Sequence, residues 1–109
     1  MIVFKIAMSV LPEKQKELLQ TLSSIIGSMG MEPGCLAYAA FCDIEDKNLL
    51  VLLEEWQTRK DLDRHLRSET FGVLMGTRSL LSEPHRIQIH TIHKSEGLEA
   101  VDAARRKER

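Results

Sequence analysis

Ile2, Phe4, Ile6, Met8 and Val10 alternate with Val3, Lys5, Ala7 and Ser9, a period of two that predicts a strand with one strongly apolar face. Pro12 and Glu13 suit a first helical turn, after which Leu18, Leu19, Leu22, Ile25, Ile26 and Met29 recur at helical spacing. A helix over residues 12–30 follows, with Gly30 as its stop. Glu32, Pro33 and Gly34 form a turn, because Pro fixes φ and Gly accepts the positive φ after it. Residues 35–43 then read as a second strand, and the polar stretch Asp43 to Asn48 joins it in a hairpin to Leu49–Trp56. Leu49 to Leu53 are apolar without a break, so both faces of this third strand need cover. In so short a chain a second copy of the sheet is the economical cover, and a homodimer is expected.

Thr58 and Asp61 carry a capping signal, and Leu62, His65 and Leu66 share one face of the helix that follows. Ser68 caps a further helical piece whose inward residues are expected to be Phe71, Leu74, Met75 and Leu81. Pro84 ends that section, and residues 85–93 read as a last strand. The order β-α-β-β-α-β is the ferredoxin-like one, an α+β fold with an antiparallel sheet. Residues 1–93 form the expected domain. Residues 94–109 turn polar and charged, with Leu98 and Val101 as their sizeable apolar residues, and read as a solvated, frayed appendage.

The 109 residues carry 15 Lys and Arg against 16 Asp and Glu. No overall field gathers phosphate or anionic lipid, so neither nucleic acid nor a membrane is an expected partner. The first residues lack a leader pattern and no stretch is long and apolar enough for a span, which makes the cytoplasm the expected setting. Cys35 and Cys42, seven apart on one strand, are expected on opposite faces about 23 Å from each other, beyond disulfide reach.

Metal binding finds no support in the spacing of His85, His90 and His93: an odd separation on a strand divides one pair, and about 26 Å separates another. The glycine-rich phosphate loops, paired cysteines and nucleophile elbows that announce nucleotide, flavin, zinc or serine-hydrolase chemistry do not occur, so no metal and no cofactor is expected. Single residues around one crevice between sheet and helices remain. Strand parity puts Trp56 on one face with Glu54 and turns Glu55 to the other. His65 points at the sheet from the second helix, and Tyr38 stands on the second strand.

The runs Glu32-Pro33-Gly34-Cys35-Leu36-Ala37-Tyr38, Leu53-Glu54-Glu55-Trp56 and Asp61 to Phe71 resemble, in order and spacing, the antibiotic biosynthesis monooxygenase family. The resemblance implies a dimeric α/β barrel of two ferredoxin-like protomers with an apolar pocket between each sheet and its helices. It further implies cofactor-free oxygenation of a small aromatic such as a quinol, with oxygen as co-substrate. His65 is then the catalytic base, and Trp56, Tyr38, Glu54, Thr70 and Phe71 are substrate-binding. Many members carry a second His just before the Phe that closes the last run, where this chain has Thr70. Haem-degrading relatives use an Asn on the first strand, whereas the one Asn here is Asn48. An isomerase on the same scaffold and a non-catalytic small-molecule-binding or stress-related module are the alternatives.

A His of pKa about 6.5 that takes a proton from a phenol of pKa about 10 works roughly 5 kcal/mol uphill. The site therefore needs hydrogen-bond donors for the forming anion, for which Tyr38, Trp56 Nε1 and Thr70 are the candidates.

Overall fold

The alternation of the opening segment becomes strand β1, Ile2–Ser9, in a computed structural model that describes residues 1–107. A 3-10 turn at Pro12–Lys14 leads into helix α1, Gln15–Met29. Strands β2 (Cys35–Cys42) and β3 (Leu49–Trp56) form the hairpin, and helices α2 (Arg59–Leu66) and α3 (Glu69–Met75) follow. A second 3-10 segment, Gly76–Leu80, returns the chain to strand β4, Arg86–Thr91. The sheet is antiparallel in the order β2-β3-β1-β4, which is the ferredoxin-like arrangement.

Ladder register explains the core. Ile2, Phe4, Ile6 and Met8 stand opposite Trp56, Glu54, Leu52 and Leu50, and all eight are buried under the helices. Leu18, Leu22, Ile25 and Met29 from α1 and Leu62, Phe71 and Leu74 from α2 and α3 close over them. Each such side chain contributes about 1.5–3 kcal/mol by leaving water. The other face carries Leu49, Val51 and Leu53, which stay half-buried. Helix starts follow the sequence: Thr58 accepts from the Asp61 N–H, and Ser68 accepts from that of Phe71.

Four details depart from the sequence reading. A β-bulge between Cys35 and Ala37 places Cys35 opposite Trp56, while Cys42 stands opposite Leu50. Both cysteines therefore share the helix-facing side, because the extra residue resets parity, yet the six-residue offset on β3 keeps them about 20 Å apart. Met75 is 39% exposed and not inward, since the helix ends there and tightens into the 3-10 segment. Strand β4 covers Arg86–Thr91 rather than 85–93, and just before it the His85 ring turns away to Thr77 Oγ1 at 2.9 Å and Leu74 O at 3.2 Å. Residues Leu98–Lys107 form a helix, α4, with Leu98 and Val101 exposed, where a frayed segment was expected. Its three Ala, two Arg and one Lys favour helix, and Gly97 N–H donates to Glu99 Oε1 at its start. The last two residues of the predicted 94–109 appendage lie outside the described residues.

No helix among the described residues is long and apolar enough to cross a membrane. No group of three or more His, Cys, Asp and Glu that could hold a metal ion occurs among them either.

Candidate functional site

Glu54 is the one carboxylate in the buried layer of the sheet, fully enclosed between Phe4 on β1 and Tyr38 on β2. Burying a carboxylate is costly unless it gains partners. Two positions on, the Trp56 indole N–H donates to Glu54 Oε1 at 2.9 Å. The His65 ring lies over the indole, with ring centres 4.8 Å apart and an interplanar angle of 27°. Phe71 meets the same imidazole edge-on at 5.5 Å and leans on Phe4 at 5.8 Å.

Both nitrogens of His65 face carboxylates. Nδ1 lies 2.7 Å from Glu32 Oε2 and Nε2 lies 3.5 Å from Glu54 Oε1. These are ion-pair distances whose alignment falls short of a hydrogen bond, so both ring nitrogens, Glu32 Oε2 and Glu54 Oε2 have no aligned partner among the described residues. Burial pulls the imidazolium down, but contact with Glu54, its charge and that of Glu32 outweigh this and hold His65 above its ordinary 6.5. Burial first, then the charge of Glu54, pushes the Tyr38 phenol above its ordinary 10. The same two causes raise the Cys35 thiol, which favours its neutral form.

The turn before β2 delivers Glu32. Gly34 adopts φ 81°, and a Cβ there would run into the Asp61 side chain. Cys35 N–H donates to Glu32 O at 3.2 Å and Gln57 N–H to Gly34 O at 2.8 Å, which ties the turn to the end of β3. Asp61 is itself held by Thr58 Oγ1 at 2.8 Å and paired with Arg64 at 3.3 Å. A cleft of about 160 Å³ opens here, lined by Glu32, Pro33, Trp56, Asp61, Arg64, His65 and Ser68.

Of the residues singled out from the sequence, Glu54, Trp56, His65 and Phe71 form one contact cluster, and Trp56 and His65 also line the cleft. Tyr38 faces Glu54 across the ladder, its hydroxyl buried without a partner among the described residues. Thr70 is half-buried at the start of α3, beside Phe71 and outside the cleft lining. One expectation changes: Trp56 Nε1 is committed to Glu54, which leaves Tyr38 as the donor without a partner. Sequence reasoning missed Glu32, which read as a turn residue, and no periodicity marks it. Its available signal is its place two residues ahead of a glycine that needs positive φ, beside the helix that carries His65.

Residues 1–76 match the model of the antibiotic biosynthesis monooxygenase family. YcnE of Bacillus subtilis (strain 168), named as a candidate monooxygenase, is 31% identical over 85 residues, which cover 77% of this chain and 90% of that protein. A crystal structure of a conserved protein from Methanosarcina mazei Go1 superposes with a TM-score of 0.78 at 30% identity, covering 82% of this chain and 89% of the other. A candidate antibiotic biosynthesis monooxygenase from Deinococcus radiodurans reaches 0.81 at 19% identity, over 89% and 97% of the two chains, a likeness of fold.

Proposed function

From the premise that this chain belongs to the antibiotic biosynthesis monooxygenase family, we propose that it is a cofactor-independent monooxygenase of a small aromatic, a one-ring quinol. His65 takes the phenolic proton, and the resulting electron-rich ring reacts directly with dioxygen. The balance is hydroquinone plus O2 to hydroxyquinone plus water: one oxygen atom enters the ring and the other leaves as water.

The observation that carries this reading is the imidazole held between two carboxylates and stacked on an indole at the edge of a cleft. A carboxylate partner orients the ring and supports its cationic form, as a base needs. The raised pKa of His65 narrows the uphill gap to a phenol. A cavity of about 150 Å³ holds a benzene-sized ring, so a cleft of about 160 Å³ suits a single-ring substrate. Trp56 is the apolar wall of the cleft, Phe71 backs the imidazole from outside the lining, and Tyr38, buried opposite Glu54, is the donor that turns toward the forming oxyanion. Glu54 orients the base, and Thr70 stands next to Phe71 at the start of α3.

Oxygen uptake with hydroquinone and protein alone is the test. His65→Ala is expected to cut the rate by roughly 10²-fold or more. Uptake equal in wild type and variant removes His65 from the reaction. No protein-dependent uptake across a panel of hydroquinones favours the second reading, a non-catalytic small-molecule-binding module. The mutual satisfaction of Trp56 Nε1 and Glu54 Oε1, with both side chains fully buried, supports that alternative.

The working form is a homodimer in the cytoplasm, with residues 1–93 as the domain and 94–109 as an appendage. The half-buried Leu49, Val51 and Leu53 give the open sheet face a reason to pair. Light scattering is expected to return twice the 12.4 kDa chain mass. A monomer at micromolar concentration overturns the pairing, which needs more than roughly 1,000 Å² of buried surface to be specific.

A further inference from the structure

The side chains facing His65 form a graded series. Glu32 is 22% exposed, His65 1% and Glu54 0%. Trp56 covers one face of the imidazole and Phe71 meets it edge-on, so exchange must run through the ring nitrogens. From Nε2 the path ends on Glu54, which no solvent reaches. From Nδ1 it passes to Glu32 Oε2 at 2.7 Å, an oxygen that is itself buried but belongs to a partly exposed side chain that lines the cleft.

We propose that Glu32 is the proton port of this site: protons enter and leave the buried His65 ring through the Glu32 carboxylate, while Glu54 is the fixed inner partner. The transfer is a plain exchange. As the carboxylate turns into line with Nδ1, the Nδ1–H bond breaks and an Oε2–H bond forms, and rotation of the carboxyl toward the cleft then releases the proton to water. The positive φ of Gly34 and the two backbone bonds of the turn hold Glu32 in place for it. Other ionisable groups around the ring are less well placed. Asp61 and Arg64 on α2 pair with each other, and Cys35 and Tyr38 on β2 are held neutral by burial and the charge of Glu54. Glu32 is a positioning and relay residue that acts through His65. The inference rests on the proposed reading for the use made of the proton, whereas the port belongs to the free protein.

Ring-nitrogen NMR of histidine-labelled protein, without substrate, tests it. In Glu32→Gln the exchange of the His65 ring proton with water is expected to slow by about tenfold or more, a general-base effect. Acetate, small enough to enter the cleft, is expected to restore it. Glu45→Gln, an exposed carboxylate at the far end of the β2–β3 hairpin, is expected to leave the exchange rate at the wild-type level. Wild-type exchange in Glu32→Gln, slowing that acetate does not restore, or equal slowing in Glu45→Gln, overturns the port. Normal slowing and rescue without oxygen uptake by the wild-type protein supports the port and counts against oxygenation alone.

Discussion

Trp56 Nε1 donates to Glu54 Oε1 at 2.9 Å between two fully buried side chains two positions apart on β3. Trp56→Phe keeps the ring stacked on His65 but deprives a buried carboxylate of its aligned donor. An unsatisfied buried acceptor costs about 1–3 kcal/mol, more when charged. The expected result is a lower urea midpoint at unchanged slope. A Trp56→Phe, Glu54→Leu double variant is expected to recover part of the loss, because both halves of the pair are then gone.

His65 gives stability a pH dependence of known sign. Its folded pKa is held above the ordinary 6.5, because the contact and charge of Glu54, with Glu32, outweigh burial. The folded state therefore binds the proton more tightly than the unfolded chain. The contribution is complete below about pH 6.5 and is lost as pH rises through the folded value. Urea unfolding over that range is expected to show declining stability in wild type and a flatter profile in His65→Gln. A His65 contribution that grows with pH there contradicts the carboxylate-flanked assignment.

Tyr38 is the one tyrosine of the chain, so its ionisation is directly visible in near-ultraviolet absorbance. An ordinary tyrosine half-ionises near pH 10. Burial and the charge of Glu54 hold this phenol above that, and no tyrosinate signal is expected there while the protein stays folded. Glu54→Gln is expected to bring the transition to lower pH. A normal titration in the wild-type protein places Tyr38 in water and removes it as a buried donor.

Gly34→Ala combines a disfavoured φ with a collision against Asp61. A strained backbone position costs about 1–3 kcal/mol, so a lower melting temperature is expected. The same change displaces the Glu32 turn, and the His65 pKa read by NMR is expected to fall. Gly30→Ala, where a Cβ meets open space, is the control expected to change neither.

Most of the fold was legible along the chain. The alternation of Ile2 to Met8, the helical spacing of Leu18 to Met29, the turn at Gly34 and the caps at Thr58 and Ser68 are local signals. Each element forms for reasons within a few residues of itself, and their order restricts the sheet to few topologies. Parity likewise placed Glu54 with Trp56, and helical spacing turned His65 toward the sheet. The bulge that brings Cys35 to the core face was not legible, since one added residue in a ladder depends on both strands. The site followed the same division. Its indole and imidazole stood out by rarity and position. That Trp56 Nε1 is committed to Glu54, and that Glu32 reaches Nδ1 of His65 from a turn thirty-three residues away, depends on through-space distances. Contacts between segments remote in sequence carry no periodicity, so only the packing of the turn, β3 and α2 against one another decided them.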